Sequence, residues 1–279
     1  MDTREVVVRG VRSPVTEAGD GEAAEAVVLV HGNPGPALDW DFAIPAISEL
    51  ARVIAPDMPG YGAAERPRSL PYTVKGYADH LAGILEQLGV SRVHLVLHDF
   101  GGPWGLQWAV DNPEAFASVS LINTGVFPDY SWHRFAKVWR TPVVGEMLQA
   151  TTTRGGLRMF LNRDNPRPLP EEFIDRLHSE SDPGMRRAIR KLYRATDPAP
   201  LTAELSPALR ALDRPALVIW GEGDAYLPLR LAERQRDAFP KAEIVTIPDT
   251  GHWPFVDDPE AVRAPLLGFL RTQVGSPAA

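Results

Sequence analysis

Six short apolar runs, most of them rich in β-branched residues, punctuate the chain: Ala26 to Val30, Arg52 to Ala55, Val93 to Leu97, Val119 to Ile122, Ala216 to Trp220 and Ile244 to Ile247. Runs that lack polar alternation are expected of strands whose sheet is covered by helices on both faces. Between the second and third, Tyr77, Leu81, Ile84, Leu85 and Leu88 recur at three- and four-residue spacing, and Gly89 follows. That is the pattern of an amphipathic helix with a glycine stop. Strand–helix–strand repetition predicts an α/β fold built on a mostly parallel sheet.

From Thr124 to Leu212 the strand pattern disappears. It gives way to sequence rich in Trp, Arg and Pro, with helical patterns at Glu171 to Leu177 and Met185 to Tyr193, and strands resume after Arg214. The sheet grammar continues across this gap, so the expected organisation is a core of residues 1–124 and 213–279 with a helical lid, 125–212, inserted into it. Within the lid, Arg186, Arg187, Arg190, Lys191 and Arg194 read as a solvated helix face. A last helix is expected to open at Asp258–Pro259, a cap followed by proline, with Pro265 predicting a kink or a late start.

Composition narrows the function classes. The chain has 279 residues, ample for a large core, and its 27 Pro and 23 Gly are scattered rather than repeated. Lys plus Arg number 29 against 36 Asp plus Glu, a net charge of −7, which gives no electrostatic footprint for nucleic acid or anionic lipid. No run approaches the roughly 18 apolar residues of a membrane span, and Met1 to Gly10 carries only Val6 to Val8 among its charges, too little for a secretory segment. With no cysteine, disulfides and thiolate metal sites are excluded. The expectation is a soluble cytoplasmic protein, monomer or homodimer, with no membrane or nucleic-acid partner, no metal and no cofactor.

The candidate chemistry sits where strands end. The run Val93-His-Leu-Val-Leu-His-Asp99-Phe100-Gly101-Gly102 leads a strand into an aspartate and then into two glycines that permit a sharp turn. This is the layout of a nucleophile elbow, which exposes one side chain at the sheet edge and aims the next amide, that of Phe100, at the same spot. Leu97 departs from the small residue usual two places before the nucleophile. Asp99 is also compatible with a helix N-cap. Upstream, Val30-His31-Gly32-Asn33-Pro34 leaves another strand, with His31 read as structural and Asn33 as the second oxyanion-hole donor. Downstream, Trp220-Gly221-Glu222-Gly223-Asp224 and Asp249-Thr250-Gly251-His252 supply an acid and a base in the order nucleophile, acid, base. Glu222 and Asp249 are the rival acids.

These motifs, with Ala55-Pro56-Asp57-Met58-Pro59-Gly60-Tyr61-Gly62, run in order from Val28 to Leu270. Together they resemble the α/β-hydrolase fold, in its aspartate-nucleophile branch of epoxide hydrolases, haloalkane dehalogenases and fluoroacetate dehalogenases. A carboxylate with a reference pKa near 3.9 is ionised without help and can displace a leaving group from a saturated carbon. The product is an alkyl ester of Asp99, which water activated by His252 can hydrolyse, so the implied substrate is a small apolar electrophile with water as co-substrate. The resemblance makes Tyr193, in Leu192-Tyr193-Arg194-Ala195, the tyrosine that protonates an opening epoxide, and Tyr130 its partner. Trp132, His133 and Trp253 are expected around the substrate, and Trp139, Phe135, Phe160 and Met159 in an apolar pocket. Asn33 equally suits a halide, but Phe100 stands where dehalogenases carry an indole N–H or an arginine. Epoxide hydrolysis is therefore the first expectation, with haloalkane dehalogenation and a non-catalytic small-molecule receptor as alternatives.

Overall fold

The structure is a computed structural model, and it describes residues 1–68, 70–127 and 130–276. Pro128 and Asp129, which open the Tyr130 segment, lie outside the described residues. Eight strands form one sheet: β1 (Asp2–Val8), β2 (Val11–Ala18), β3 (Glu25–Val30), β4 (Arg52–Pro56), β5 (Arg92–His98), β6 (Phe116–Ile122), β7 (Ala216–Gly221) and β8 (Glu243–Ile247). They lie in the order β1-β2-β4-β3-β5-β6-β7-β8, antiparallel at the β1 and β2 edge and parallel from β4 onward. All six runs of the sequence pattern are strands. The β1–β2 hairpin was not foreseen, because β1 pairs on one side only and exposes all but Val6 and Val8.

The early helices are α1 (Ile44–Ser48), α2 (Val74–Gln87) and α3 (Gly101–Asp111). Helix α2 starts where Thr73 caps it, its Oγ1 accepting from the Gly76 N–H at 3.1 Å, and stops at Gly89, whose φ of +68° is left-handed. Between β6 and β7 come α4 (Arg134–Arg140), α5 (Val144–Thr151), α6 (Arg154–Asp164), α7 (Glu171–Glu180), α8 (Pro183–Ala195) and α9 (Pro198–Leu212). The chain closes with α10 (Arg230–Arg234), α11 (Pro254–Asp257) and α12 (Pro259–Gln273). Helix α12 opens at Pro259 under an Asp258 cap and runs through Pro265, so the expected late start is corrected. Its Val262, Leu266 and Leu270 are fully buried, and that burial outweighs the one hydrogen bond Pro265 cannot donate.

Alternate residues of the central strands feed two cores. Val28, Val30, Leu95 and Leu97 pack on one face with α2, α3 and part of α8, while Val27, Leu29 and Val96 pack on the other with α1, α7 and α12. The carboxyl ends of β3, β5, β6, β7 and the loop after β8 are thereby brought to one edge, beneath α4 to α8. Among the described residues no helix is long and apolar enough to cross a membrane.

Candidate active site

Strand β5 leads directly into Asp99, whose φ of +46° puts a non-glycine residue in the left-handed region at the strand–helix corner. Such a conformation costs about 1–3 kcal/mol and persists only where neighbours enforce it. They do so here by close approach: a side-chain carbon at Gly101 would lie 2.2 Å from the Val30 carbonyl oxygen. The large Leu97 fits two places earlier because its side chain lies over Gly105 of α3, where a Cβ would stand 2.5 Å from Leu97 Cδ2. The cost of a large residue in the elbow is thus met by a glycine one turn into the helix.

The corner points Asp99 at two partners. The Asn33 N–H donates to Asp99 Oδ1 at 2.7 Å, and His252 Nε2 lies 3.4 Å from Oδ2. The Asn33 loop is held from below, where the His31 ring engages the Gly32 carbonyl oxygen at 2.8 Å and accepts the Met58 N–H at 2.9 Å. Tyr61 donates to Asn33 Oδ1 at 2.9 Å, which leaves the Asn33 amide nitrogen buried without a partner. The Phe100 N–H follows Asp99 at the start of α3, among the amides a helix leaves without an internal acceptor.

Behind His252, Asp224 Oδ2 accepts from His252 Nδ1 at 2.8 Å and from Asn123 Nδ2 at 2.7 Å. Its Oδ1 accepts from the Tyr226 and Leu227 amides at 2.7 and 2.9 Å. An ionised carboxylate only accepts, so Nδ1 carries a proton and Nε2 is the nitrogen turned to Asp99. Burial disfavours the charged imidazole, but the negative charges of Asp224 and Asp99 prevail and lift His252 to about 10. Asp99 answers in the opposite sense: burial opposes its charge, and the His252 contact holds its pKa below the usual carboxylate value. The resting pair is an imidazolium beside a carboxylate. The rival acids are elsewhere, Glu222 exposed and bonded to Thr246, and Asp249 exposed on its turn.

Above this edge, residues of α4 to α9 line a cavity of about 200 Å³. Asp99, His252, Asn33, Phe100, Tyr193, Tyr130, Trp132, His133 and Trp253 all line it, with Asp224 behind His252. The Tyr193 ring meets Phe100 at 5.0 Å, Trp132 at 5.0 Å and Trp139 at 5.2 Å between centroids. Burial and then the Asp99 charge keep its proton on, raising the phenol well above its ordinary value. Burial chiefly raises Tyr130 as well. His133 Nδ1 accepts the Ala136 N–H at 3.3 Å as the cap of α4, and burial first of all lowers this imidazole to about 4. Its single proton is therefore on Nε2, which faces the Tyr193 oxygen at 3.5 Å. The Tyr193 hydroxyl is then the acceptor in that contact, and its own proton is not used by His133.

Two expectations are corrected. Met159 is 61% exposed and points away from the pocket that Phe135, Trp139 and Phe160 line. The basic run of α8 is not simply solvated: Arg187 and Lys191 bond to the Arg66 and Arg68 carbonyl oxygens, Arg190 and Arg194 pair with Glu146, and Arg186 lines the cavity. Sequence reasoning also missed Asn123, which binds Asp224 and accepts the Gly221 N–H at 2.9 Å, and His98, whose Nε2 lies 2.8 Å from the His252 carbonyl oxygen. Asn123 directly follows β6, and a polar residue at that strand exit was the available signal.

An aspartate at a strand–helix corner, a histidine and second aspartate from later loops and a helical layer above them form the arrangement of a hydrolase site, and residues 25–259 match the model of the alpha/beta hydrolase fold. The chain belongs to that family. It is 27% identical over 278 residues to the 2-hydroxymuconate semialdehyde hydrolase of Pseudomonas sp. (strain CF600), covering 96% of this chain and 93% of that one. Epoxide hydrolase CorEH superposes with a TM-score of 0.82 at 22% identity, over 97% of this chain and 99% of its own. Haloalkane dehalogenase DbeA from Bradyrhizobium elkani USDA94 does so with 0.82 at 24%, over 97% and 98%. These likenesses establish the fold, which serves several chemistries.

Proposed function

We propose that the protein is an epoxide hydrolase that forms a covalent ester on Asp99, with the helical layer acting as its lid. The observation that carries this reading is that the Tyr193 hydroxyl, its oxygen facing His133, borders the same cavity as the carboxylate of Asp99. Asp99 attacks a ring carbon, the C–O bond breaks, and the departing alkoxide takes the Tyr193 proton. A leaving alkoxide has a conjugate acid near the roughly 16 of water, so a positioned donor matters greatly. Tyr130, which lines the same cavity and whose hydroxyl accepts the His133 N–H at 3.3 Å, would be the second donor.

Ester formation removes the Asp99 charge and with it one of the two interactions that hold the proton on His252. That proton returns through solvent to the Tyr193 oxygen, leaving His252 neutral. Water then attacks the ester carbonyl carbon while His252 takes its proton, and the charge develops on the oxygen that the Asn33 amide contacts, with the Phe100 amide as the expected second donor. Collapse expels the diol oxygen, which is protonated by His252, and the new Asp99 carboxylic acid hands its proton back to the imidazole. Atoms and protons balance over the cycle. The test is diol formation from a simple aryl epoxide such as styrene oxide, abolished in Asp99→Ala. Continued turnover in that variant would falsify the mechanism.

A second reading has one observation in its favour. Asn33 and Trp132 line the cavity, and their Nδ2 and Nε1 atoms are buried with no hydrogen-bond partner, two donors that a departing halide could engage. Halide release from haloalkanes, with no diol from epoxides, would select that reading.

A further inference from the structure

We propose that the cavity contains a second recognition site, for a carboxylate at the remote end of the substrate, with Arg186 as its cation. The proposal rests on the epoxide reading and names the class of epoxide. Histidines aside, Asp99 and Arg186 are the charged residues that line the cavity. Arg186 donates from Nε to Ser181 Oγ at 3.2 Å, and among the described residues no carboxylate pairs with it. Its neighbours on α8 are otherwise engaged: Arg187 and Lys191 bond to backbone carbonyl oxygens, and Arg190 and Arg194 share Glu146. A guanidinium fork on a mostly apolar cavity, without an acidic partner, is suited to a planar anion.

The spacing is set by a single helix. Tyr193 and Arg186 are seven residues apart on α8, two turns, so their side chains leave nearly the same face about 10 Å apart along the axis at about 1.5 Å per residue. Buried Ile189 lines the cavity between them. The helix presents a proton donor, an apolar stretch and a cation in that order. An extended alkyl chain of bonds about 1.5 Å long advances roughly 1.3 Å per bond, so about eight carbon–carbon bonds match the spacing of the two residues along the helix. The substrate class is therefore a mid-chain epoxide of a fatty acid. The Asp99 charge repels a carboxylate at the reacting end, while Arg186 attracts it at the other, so the two charges together orient the chain.

The experiment compares 9,10-epoxyoctadecanoate with its methyl ester on wild type, Arg186→Gln and Arg186→Lys. Wild type should prefer the acid. Arg186→Gln should lower kcat/KM for the acid relative to the ester by about tenfold or more, mainly through KM, as expected for losing a hydrogen bond to a charged group. Arg186→Lys should retain part of the preference. Equal rates on acid and ester in wild type, or equal losses on both in Arg186→Gln, would overturn the site. Binding supplies a readout that needs no chemistry: decanoate should quench the cavity tryptophans of wild type, and methyl decanoate should be weaker. Decanoate binding that depends on Arg186 in a protein opening no epoxide would keep the anion site and remove the reaction. Epoxide opening with decanoate binding indifferent to Arg186→Gln would do the reverse.

Discussion

Replacing His252 with Gln is expected to halt the cycle with substrate attached to the protein. Gln keeps a polar side chain of similar size but offers no base. Neither neighbouring imidazole takes over: His133 Nδ1 is engaged as the α4 cap and its Nε2 faces Tyr193, while His98, which does not line the cavity, lies beneath the His252 carbonyl oxygen and is lowered by burial to about 4. Water attack on the ester therefore loses general-base help worth about 10²–10⁴-fold. Alkylation needs only an ionised Asp99, and the 2.7 Å bond from the Asn33 N–H remains to favour that state. Without the imidazolium the Asp99 pKa rises, so adduct formation should slow as pH is lowered, more in the variant than in wild type. The assay is intact-protein mass spectrometry after mixing with an aryl epoxide at pH 8, followed by peptide mapping. A mass gain equal to the whole epoxide, located on Asp99 and decaying far more slowly than wild-type turnover, is the expected result. An unmodified Asp99 together with unimpaired diol formation would refute the reasoning.

Four further outcomes follow from the geometry. Tyr193→Phe should cut kcat/KM for epoxides by about 10²–10⁴-fold, read from diol formation, because the alkoxide then leaves without its positioned proton. Asn123→Ala leaves the Gly221 N–H buried without its acceptor and should cost about 1–3 kcal/mol in denaturant titrations, while kcat falls through a less well held Asp224. Gly105→Ala should destabilise by about 1–3 kcal/mol through contact with Leu97, and the double variant with Leu97→Ala should lose less than the sum of the two single losses. His252, lifted from 6.5 to about 10, contributes stability that is complete below pH 6.5 and is lost as pH rises toward 10. Thermal melts from pH 7 to 10 should therefore show a decline in wild type that is shallower in His252→Gln.

The central strands were legible because both their faces are buried, which leaves Val93 to Leu97 and Val119 to Ile122 as unbroken apolar runs. Edge strand β1 was not, since one exposed face mixes charges into the pattern. Asp99, Asp224 and His252 were readable because each lies in the short loop that leaves a strand, Asp99 directly after β5 and the other two a few residues beyond β7 and β8, so local order fixes their place at the sheet edge. Contacts above the sheet depend instead on which way a helix is turned, and neighbouring residues on a helix point about 100° apart. Phe160 faces the cavity while adjacent Met159 faces solvent, and Arg186 faces inward from a run whose other members bind elsewhere. Charge and hydropathy name such residues without saying which way they aim.

The placement of Tyr193 has an evolutionary corollary. On the epoxide reading, the groups that would make and break the ester are anchored at strand ends, whereas the proposed proton donor stands on α8, among the helices between β6 and β7. Sequence drift in residues 125–212 would then exchange one departing group for another, or one chain length for another, and leave the proposed ester-cleaving groups in place.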